Sequence, residues 1–437
     1  MSMINRIKTS AVPRGDTQLA EMSLSRRHKP DYLIILFMGL LMLLGLIIMY
    51  AIGPQRANVL NNAYGSNYSD TYFFVKQVIS ILISLVAFAF MAILPYSFLA
   101  KHAGKLLLIS LGSCALLAIA GWANLGIAQE SLGATRWFNL GALGSLQPAE
   151  LLKFAILVYL AIFLGIKSKQ NKINNLQETL IPVAVITAIS MLFIVVLQKD
   201  LGTGISLAAI IITMLFIAGL NKRIGGILLI SVAVIGTIFI ISAPHRIERI
   251  MTYLKGDDTS ESDENSYHIE QAKLAIGTGG LFGVGVGNSV QSTGYLPEAT
   301  NDSVFAIMGE TFGFVGLVTI LALFTGLLSR LLIIMDNLVD NRLKLLVAGV
   351  FGWLGSHVIL NIASMIGLLP LTGITLPLLS FGGTSMLFIA AALGLAFQLS
   401  HYTVHSSKLK EAQYENSSSR RGVGRSRYSG RGGFTRT

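Results

Sequence analysis

Residues 304–335 read VFAIMGETFGFVGLVTILALFTGLLSRLLIIM and carry only two charged side chains, Glu310 and Arg330. A helix needs roughly 20 predominantly apolar residues to cross the hydrocarbon core of a bilayer, so this run is long enough to span one. Nine further apolar runs are also long enough to span. They centre on 32–52, 73–94, 105–122, 149–166, 179–197, 204–220, 224–243, 345–368 and 386–402.

The composition agrees with a membrane protein. Hydrophobic residues make up 53% of the 437 residues, charged residues only 13%, and the mean hydropathy is +0.66. Soluble domains carry about 25% charged residues. Because backbone polar groups must be satisfied internally in lipid, the apolar runs are predicted to be helices. We therefore predict an all-α polytopic membrane protein with about ten transmembrane helices.

The positions of the positive charges predict the orientation. Most of the 33 Lys and Arg residues lie in the terminal segments and in the loops that share their side. The positive-inside rule then places both termini in the cytosol. The outward segments are 123–147, 369–385 and a large extracytosolic loop, 244–303, between helices 7 and 8.

Three regions are expected along the chain. Residues 1–30 are a cytosolic extension without the apolar core of a signal peptide. Residues 31–402 form the membrane domain, and 403–437 form a basic, disordered tail. The net charge of +11 arises mainly on the cytosolic side and favours contact with anionic lipid or a partner protein over nucleic acid. Cys114 is the only cysteine, so neither a disulfide framework nor a thiolate metal site is expected.

Carboxylates gather at the N-terminal end of the 304–335 run. Glu298 and Asp302 precede it and Glu310 lies inside it. Charged groups at or within a membrane are costly unless paired, and by default they indicate function. For Asp302, a helix N-cap remains an equal alternative. For Glu310, the alternative is a buried pair with a basic residue.

Other polar residues are predicted to face the same, outward side. Glu150 and Lys153 share one face of the fourth helix, either as a structural ion pair or as part of a polar cavity. Arg136 suits either an anionic headgroup or an interfacial anchor. Asp200 follows Lys199 in a turn, where a local ion pair is the simpler interpretation. Asn361 lies inside the ninth helix, one turn after His357, which we interpret as a hydrogen-bonded interior residue.

Two outward segments look irregular. The glycine-rich stretch GTGGLFGVGVGNS at 277–289 follows a segment, 267–276, whose apolar spacing predicts a short amphipathic helix. No strand precedes the glycines, so a dinucleotide site is rejected. A re-entrant or surface loop with close backbone packing and a loop whose backbone amides bind an anionic ligand both stay open. The second irregular segment, PLLSFGGTS at 377–385, is tolerated at membrane depth only where it packs on protein or lines a cavity.

These polar groups together predict a cavity open to the outside with one well-placed carboxylate. Nucleotide sugars and ATP are essentially absent there. A substrate must therefore bring its own leaving group, and a lipid-linked pyrophosphate does so.

At this point the chain resembles a known family. Its motifs are similar to those of SEDS proteins (shape, elongation, division and sporulation), the group that includes FtsW, RodA and SpoVE. The matching stretches are GATRW at 133–137, QPAELLK at 147–153, QKDLGTG at 198–204, AIGTGGLFGVGVGNS at 275–289, LPEATNDSVFAIMGE at 296–310 and NIASMIGLLPLTGITLPLLSFGGTS at 361–385.

The resemblance implies a ten-helix peptidoglycan glycosyltransferase of the cytoplasmic membrane. It would polymerise lipid II, with Asp302 as the catalytic residue, beside a class B penicillin-binding protein and other division proteins. The resemblance also implies importance for Arg136, Glu150, Lys153, Asp200 and Glu310. We further assign Glu298, Gln271, Asn361 and Ser385 to substrate binding. The chain departs from the family pattern at Ala149, Ala272, Ser303 and His357.

In the reaction that we expect, Asp302 takes a proton from the acceptor's GlcNAc 4-hydroxyl, and undecaprenyl pyrophosphate leaves with inversion. Arg136 and Lys153 are the candidates for stabilising the leaving diphosphate. A divalent cation, Mg²⁺ or Mn²⁺, is a further candidate, although no ligand set is visible. The N-terminal extension and basic tail favour a division role at the septum, as in FtsW, over RodA-like elongation. The rival hypotheses are a lipid II flippase and a non-catalytic scaffold.

Overall fold

The computed structural model describes residues 29–131, 134–139, 141, 144–228, 230–231 and 264–403. Within these residues the chain is mainly helical. The helices are α1 (Leu33–Tyr64), α2 (Tyr72–Ile93), α3 (Tyr96–Trp122), α4 (Pro148–Lys169), α5 (Ile181–Met191), α6 (Leu201–Ala218), α7 (Glu264–Thr278), α8 (Val304–Asn337), α9 (Asn341–Met365) and α10 (Gly383–Ser400). Wider π-helical turns, Leu176–Leu180 and Leu192–Leu197, extend α5 at both ends.

Nine helical segments of the described residues are long and apolar enough to cross a membrane. They correspond to nine of the ten predicted spans. The predicted seventh span, 224–243, lies mostly outside the described residues, although 222–228 is helical. The predicted amphipathic helix at 267–276 is confirmed as α7, which is slightly longer. The first helix also exceeds its prediction: α1 continues through Pro54 to Tyr64 instead of ending near residue 52.

A small antiparallel sheet, absent from the sequence prediction, lies between α3 and α4. Its strands are β1 (Ala128–Ser131), β2 (Ala134–Asn139) and β3 (Ser145–Leu146), in the order β1-β2-β3. Arg136 of β2 is an extra residue between the partners of Gln129 and Glu130, a bulge that shifts the register between β1 and β2. Strands this short show little alternation in sequence, so a helix-based prediction passed over them. The sheet leads directly into α4, which begins at Pro148.

The helix core is closely packed, with α4, α6, α9 and α10 the most buried spans. Glycines allow the backbones to approach, as is common between membrane helices. A Cβ at Gly394 of α10 would overlap the backbone of Phe88 in α2. Exposed apolar side chains such as Val86 and Leu108 cover the outer helices, as expected for a lipid-facing surface.

The two ends of the helix bundle differ in character. One end, the ion-pair face, joins the start of α1 to the end of α8 through Asp31 and Arg330, 2.6 Å apart. Asp340 lies at the same end and pairs with Arg342 at 2.7 Å. Burial raises the pKa of the Asp340 carboxyl, but the hydrogen bonds and charge of Arg342 outweigh this and lower it overall. The opposite end, the loop face, carries the sheet, α7 and residues 279–303 and 366–382.

Helix α8 is broken near its loop-face end. Gly313 has φ 67° and ψ −166°, which is not a helical conformation. In an unbroken helix the amides of Phe314 and Val315 would bond to the carbonyls of Glu310 and Thr311, four residues earlier. The break separates these donors and acceptors, and each needs a new partner if the site is in lipid.

The glycine segment, residues 279–287, supplies all four partners. The amides of Val284 and Gly285 donate to the freed carbonyls at 2.9 and 3.1 Å. The carbonyls of Gly280 and Leu281 accept from the freed amides at 2.9 and 3.1 Å. The loop therefore replaces the missing helical bonds one for one.

Glycine is required where the two backbones meet. A Cβ at Gly283 would overlap the carbonyl group of Thr311, and a Cβ at Gly313 would overlap the amide of Gly283. Both glycines also have φ values that other residues rarely adopt. Of the two alternatives for this segment, the structure has close backbone packing.

Candidate functional site

Asp302 lies immediately before α8 on the loop face. Its side chain is 9% exposed. The helix N-cap is the next residue, Ser303, whose own side chain makes no capping hydrogen bond. Ser303 therefore occupies the N-cap position that one of the two alternatives gave to Asp302.

Three hydrogen bonds hold the Asp302 segment, residues 296–303, from three sides. The amide of Phe381 donates to the carbonyl of Thr300 at 2.8 Å. Nδ2 of Asn361 donates to the carbonyl of Asp302 at 2.7 Å and to that of Ile374 at 2.8 Å. The last outward loop and α9 thus fix the backbone of the candidate base.

The third bond comes from α7 and was not predicted. Nε2 of His268 lies 2.6 Å from Oγ of Ser303, and both side chains are buried. The Ser303 hydroxyl has one proton, which it donates to the carbonyl of Pro297 at 2.8 Å. His268 must therefore be the donor, with its proton on Nε2.

Glu298 does not share the environment of Asp302. Its side chain is exposed, and its carboxylate accepts a hydrogen bond from Nδ2 of Asn301. Its φ of 48° places it in the left-handed region, in the turn after Pro297. Glu298 therefore shapes this turn, and its assignment to substrate binding stays a prediction.

Glu310 binds the glycine-rich loop, where neutral donors, instead of the expected basic residue, hydrogen-bond its carboxylate. The side chain is 2% exposed. Oε2 accepts from Oγ of Ser289 at 2.5 Å, and Oε1 accepts from the amide of Val290 at 2.9 Å. The Gln291 amide also points at this carboxylate. Glu310 thus ties the end of the glycine-rich stretch to α8, just before its break.

Lys153 lies in a closed polar cluster inside the membrane domain. Its side chain is fully buried, and Nζ is 2.8 Å from Oε1 of Glu150. Nζ also donates to Nε2 of His357 at 3.0 Å and lies 4.8 Å from the ring centre of Trp353. Of the two alternatives, the ion pair is present, and the expectation of a hydrogen-bonded His357 is confirmed.

Arg136 and Asp200 organise the turn between α5 and α6. Arg136, on β2, donates from Nη2 to the carbonyl of Lys199 at 2.9 Å and from Nε to that of Gln198 at 3.4 Å. Asp200 is the N-cap of α6 and accepts from the amide of Thr203 at 3.0 Å. The sheet therefore orients a partly exposed guanidinium on the loop face.

The remaining candidates are more peripheral. Gln271 is partly buried on α7, one turn after His268. Ser385 lies in the first turn of α10, where its buried hydroxyl oxygen has no hydrogen-bond partner among the described residues. Within those same residues, no group of three or more His, Cys, Asp and Glu side chains is arranged to hold a metal.

His268 and Thr300 are the site residues that sequence reasoning missed. A histidine on the buried face of an amphipathic helix was a usable signal for His268. Its partner, however, is 35 positions away. Thr300 contributes through its backbone carbonyl, which leaves no trace in the residue type.

Comparison with known proteins identifies relatives of this chain. A family model described as "Cell cycle protein" and named for FtsW, RodA and SpoVE matches residues 31–405. Stage V sporulation protein E of Bacillus subtilis is 33% identical over 380 residues, which cover 87% of this chain and 99% of that protein. The probable peptidoglycan glycosyltransferase FtsW of Escherichia coli O6:H1 is 32% identical over 349 residues, 79% of this chain and 80% of the relative.

Solved structures share the fold. A chain of a peptidoglycan synthase complex that coordinates polymerization and crosslinking aligns with a TM-score of 0.66 and 24% identity, over 85% of this chain and 97% of that one. The rod shape determining protein RodA of Thermus thermophilus aligns with a TM-score of 0.58 and 24% identity, over 86% and 98%. Because the family match spans the membrane domain and curated relatives exceed 30% identity over most of their length, this chain belongs to the FtsW/RodA/SpoVE family of cell cycle proteins.

Proposed function

We propose that this protein is a peptidoglycan glycosyltransferase that polymerises lipid II at the outer face of the cytoplasmic membrane, with Asp302 as its general base. The family membership and the names of the curated relatives support the activity. The single observation that carries the role of Asp302 is a buried carboxylate on the loop face, on a segment fixed from three sides.

The height of Asp302 above the bilayer centre suits this substrate. Arg330, paired with Asp31 before α1, marks one edge of the hydrocarbon. Asp302 is 28 residues before Arg330, or about 42 Å at 1.5 Å per residue. The hydrocarbon core is about 30 Å thick, so Asp302 lies beyond its far boundary, at or above the headgroups, on the side where the diphosphate of a lipid-linked substrate is accessible.

In the proposed step, the acceptor's GlcNAc 4-hydroxyl gives its proton to Asp302. The oxygen bonds to the anomeric carbon of the donor's MurNAc as the bond to undecaprenyl pyrophosphate breaks, with inversion. A positioned base of this kind contributes about 10²–10⁴-fold. Arg136 is the better placed cation for the leaving diphosphate, because it is partly exposed whereas Lys153 is fully buried.

Because Asp302 is buried, the proposed reaction requires a conformational change. A side chain that is 9% exposed cannot meet a sugar hydroxyl until a neighbouring segment moves. The described conformation is therefore a closed one, and substrate or partner must open it. The cavity open to the outside that the sequence predicts stays a prediction.

We also propose the orientation, the partner and the cellular role of the protein. Both termini lie in the cytosol, because the positive charges gather at the ion-pair face. The partner is a class B penicillin-binding protein, which the likeness to a synthase complex supports. A division role at the septum is favoured by the many curated relatives named FtsW.

The test uses the full chain with a class B penicillin-binding protein and labelled lipid II in liposomes. Glycan polymer from the wild type, and none from Asp302→Asn with unchanged thermal stability, is the expected result. Glu270→Gln is the matched control, since it neutralises an exposed carboxylate on α7 of the same face. Polymer made by Asp302→Asn would refute the assigned base. Lipid movement across the bilayer without polymer, in the wild type, would favour a flippase.

A further inference from the structure

We infer that the glycine segment, residues 279–287, is a re-entrant loop whose apolar side chains lie among the acyl chains of the outer leaflet. Its bonding to α8 fixes its depth. The carbonyl of Gly280 accepts from the amide of Phe314, and that of Leu281 accepts from the amide of Val315. The segment therefore lies at the height of these two residues.

That height is within the hydrocarbon. Phe314 is 16 residues from Arg330, so it stands about 24 Å above the ion-pair face, and any tilt or kink makes the height smaller. The hydrocarbon core is about 30 Å thick. The break at Gly313 is thus below the far boundary, where each freed backbone group needs a protein partner. The glycine segment provides all four.

The side chains of the segment agree with this depth. Leu281 is 65% exposed and Phe282 is 79% exposed, with Val284 and Val286 at 37% and 49%. The segment itself, residues 279–287, contains no charged or polar side chain. The patch is continuous with the lipid-facing side of α8, where Phe314 and its neighbours are exposed. Bilayer acyl chains are therefore the occupant that we assign to this surface.

A spin label measures the depth directly, and the result does not depend on the proposed enzymatic activity. In a Cys114→Ala background, a nitroxide is attached to Phe282→Cys in the full chain, reconstituted in phosphatidylcholine vesicles. Collisions with oxygen, which dissolves in hydrocarbon, are compared with collisions with a water-soluble nickel chelate. Val318→Cys, 45% exposed on α8, is the lipid control, and Tyr295→Cys, 55% exposed on the loop face, is the water control.

The oxygen-to-nickel ratio at position 282 is expected to match position 318 and to exceed position 295 at least five-fold. A ratio equal to that of position 295 would place the loop in water and overturn the inference. Protection from both reagents would show a protein cover and overturn it as well. If Phe282→Cys does not fold, Leu281→Cys gives the same measurement, since the side chain of Leu281 is also mostly exposed.

Discussion

Replacing Gly283 by alanine tests the junction between the glycine segment and α8. Gly283 has φ 82°, and its added Cβ would overlap the backbone of Thr311. Because backbone atoms cannot rotate away as side chains do, the segment must move off the helix. The four bonds that span the break of α8 are then lost or lengthened.

The structure provides a matched control for this substitution. Gly287 has φ 87°, yet nothing lies within 4 Å of its Cβ position. Alanine at either site incurs the left-handed backbone strain, about 1–2 kcal/mol. Only Gly283→Ala also disturbs four hydrogen bonds, each worth about 1 kcal/mol. The expected loss of stability is therefore about 3–5 kcal/mol for Gly283→Ala and about 1–2 kcal/mol for Gly287→Ala.

The measurement is the apparent midpoint of thermal unfolding of the purified chain in detergent, at a fixed scan rate because such unfolding is irreversible. At about 1 °C per kcal/mol for a chain of this size, the midpoint should fall by about 3–5 °C for Gly283→Ala and by about 1–2 °C for Gly287→Ala. Gly313→Ala disturbs the same junction, so the Gly283/Gly313 double variant should be less destabilised than the two single effects combined. Equal midpoints for Gly283→Ala and Gly287→Ala would refute the proposed junction.

Three further predictions follow from the site and the ion-pair face. Lys153→Met leaves Glu150 buried without its cation and should destabilise the protein by about 3–5 kcal/mol. Adding Glu150→Gln should restore most of the lost stability. Thermal unfolding in detergent of the wild type, the single variant and the double variant tests this. His268→Ala should lower the polymerisation kcat about tenfold with little change in KM, because one hydrogen bond that positions the Asp302 segment is lost. His268→Gln keeps a donor nitrogen and should retain most of the wild-type kcat. An equal loss of kcat in both variants would contradict this role of His268. Since Arg342 lowers the pKa of Asp340, the stabilisation by that carboxylate is complete above its ordinary pKa, about 3.9, and is lost as the pH falls through the lowered value. The gap in melting midpoint between wild type and Asp340→Asn should therefore stay constant from pH 7 to 5 and narrow only below about pH 4.

The sequence predicts one outward-facing set of polar residues at α4 and at the Asp302 segment, but in the structure the two groups lie in different environments. Lys153 has its donors directed to Glu150 and His357 inside the bundle. Arg136 orients the turn at 198–199. This difference in exposure is why the proposal uses groups at the loop face, whereas the contact of Lys153 with His357 joins α4 to α9.

Much of the fold could be predicted from the chain alone, because hydrophobic length is a local property. Long apolar runs have one stable solution in a bilayer, the helix, and nine predicted spans appear as such among the described residues. Asp302 could also be singled out, because a carboxylate beside an apolar run is costly wherever it folds. The short sheet at 128–146 could not, since its strands are too short to show a period.

Partners distant along the chain were decided by the tertiary structure alone. The sequence shows glycines at 279–287 and a glycine at 313, but not that one stretch completes the broken backbone of the other. It shows His268 and Ser303, but not their contact, because side-chain identity does not specify which groups 35 positions apart will meet. Apolar pattern sets which segments enter the membrane, whereas complementary backbone geometry at a few crowded positions sets how they join there.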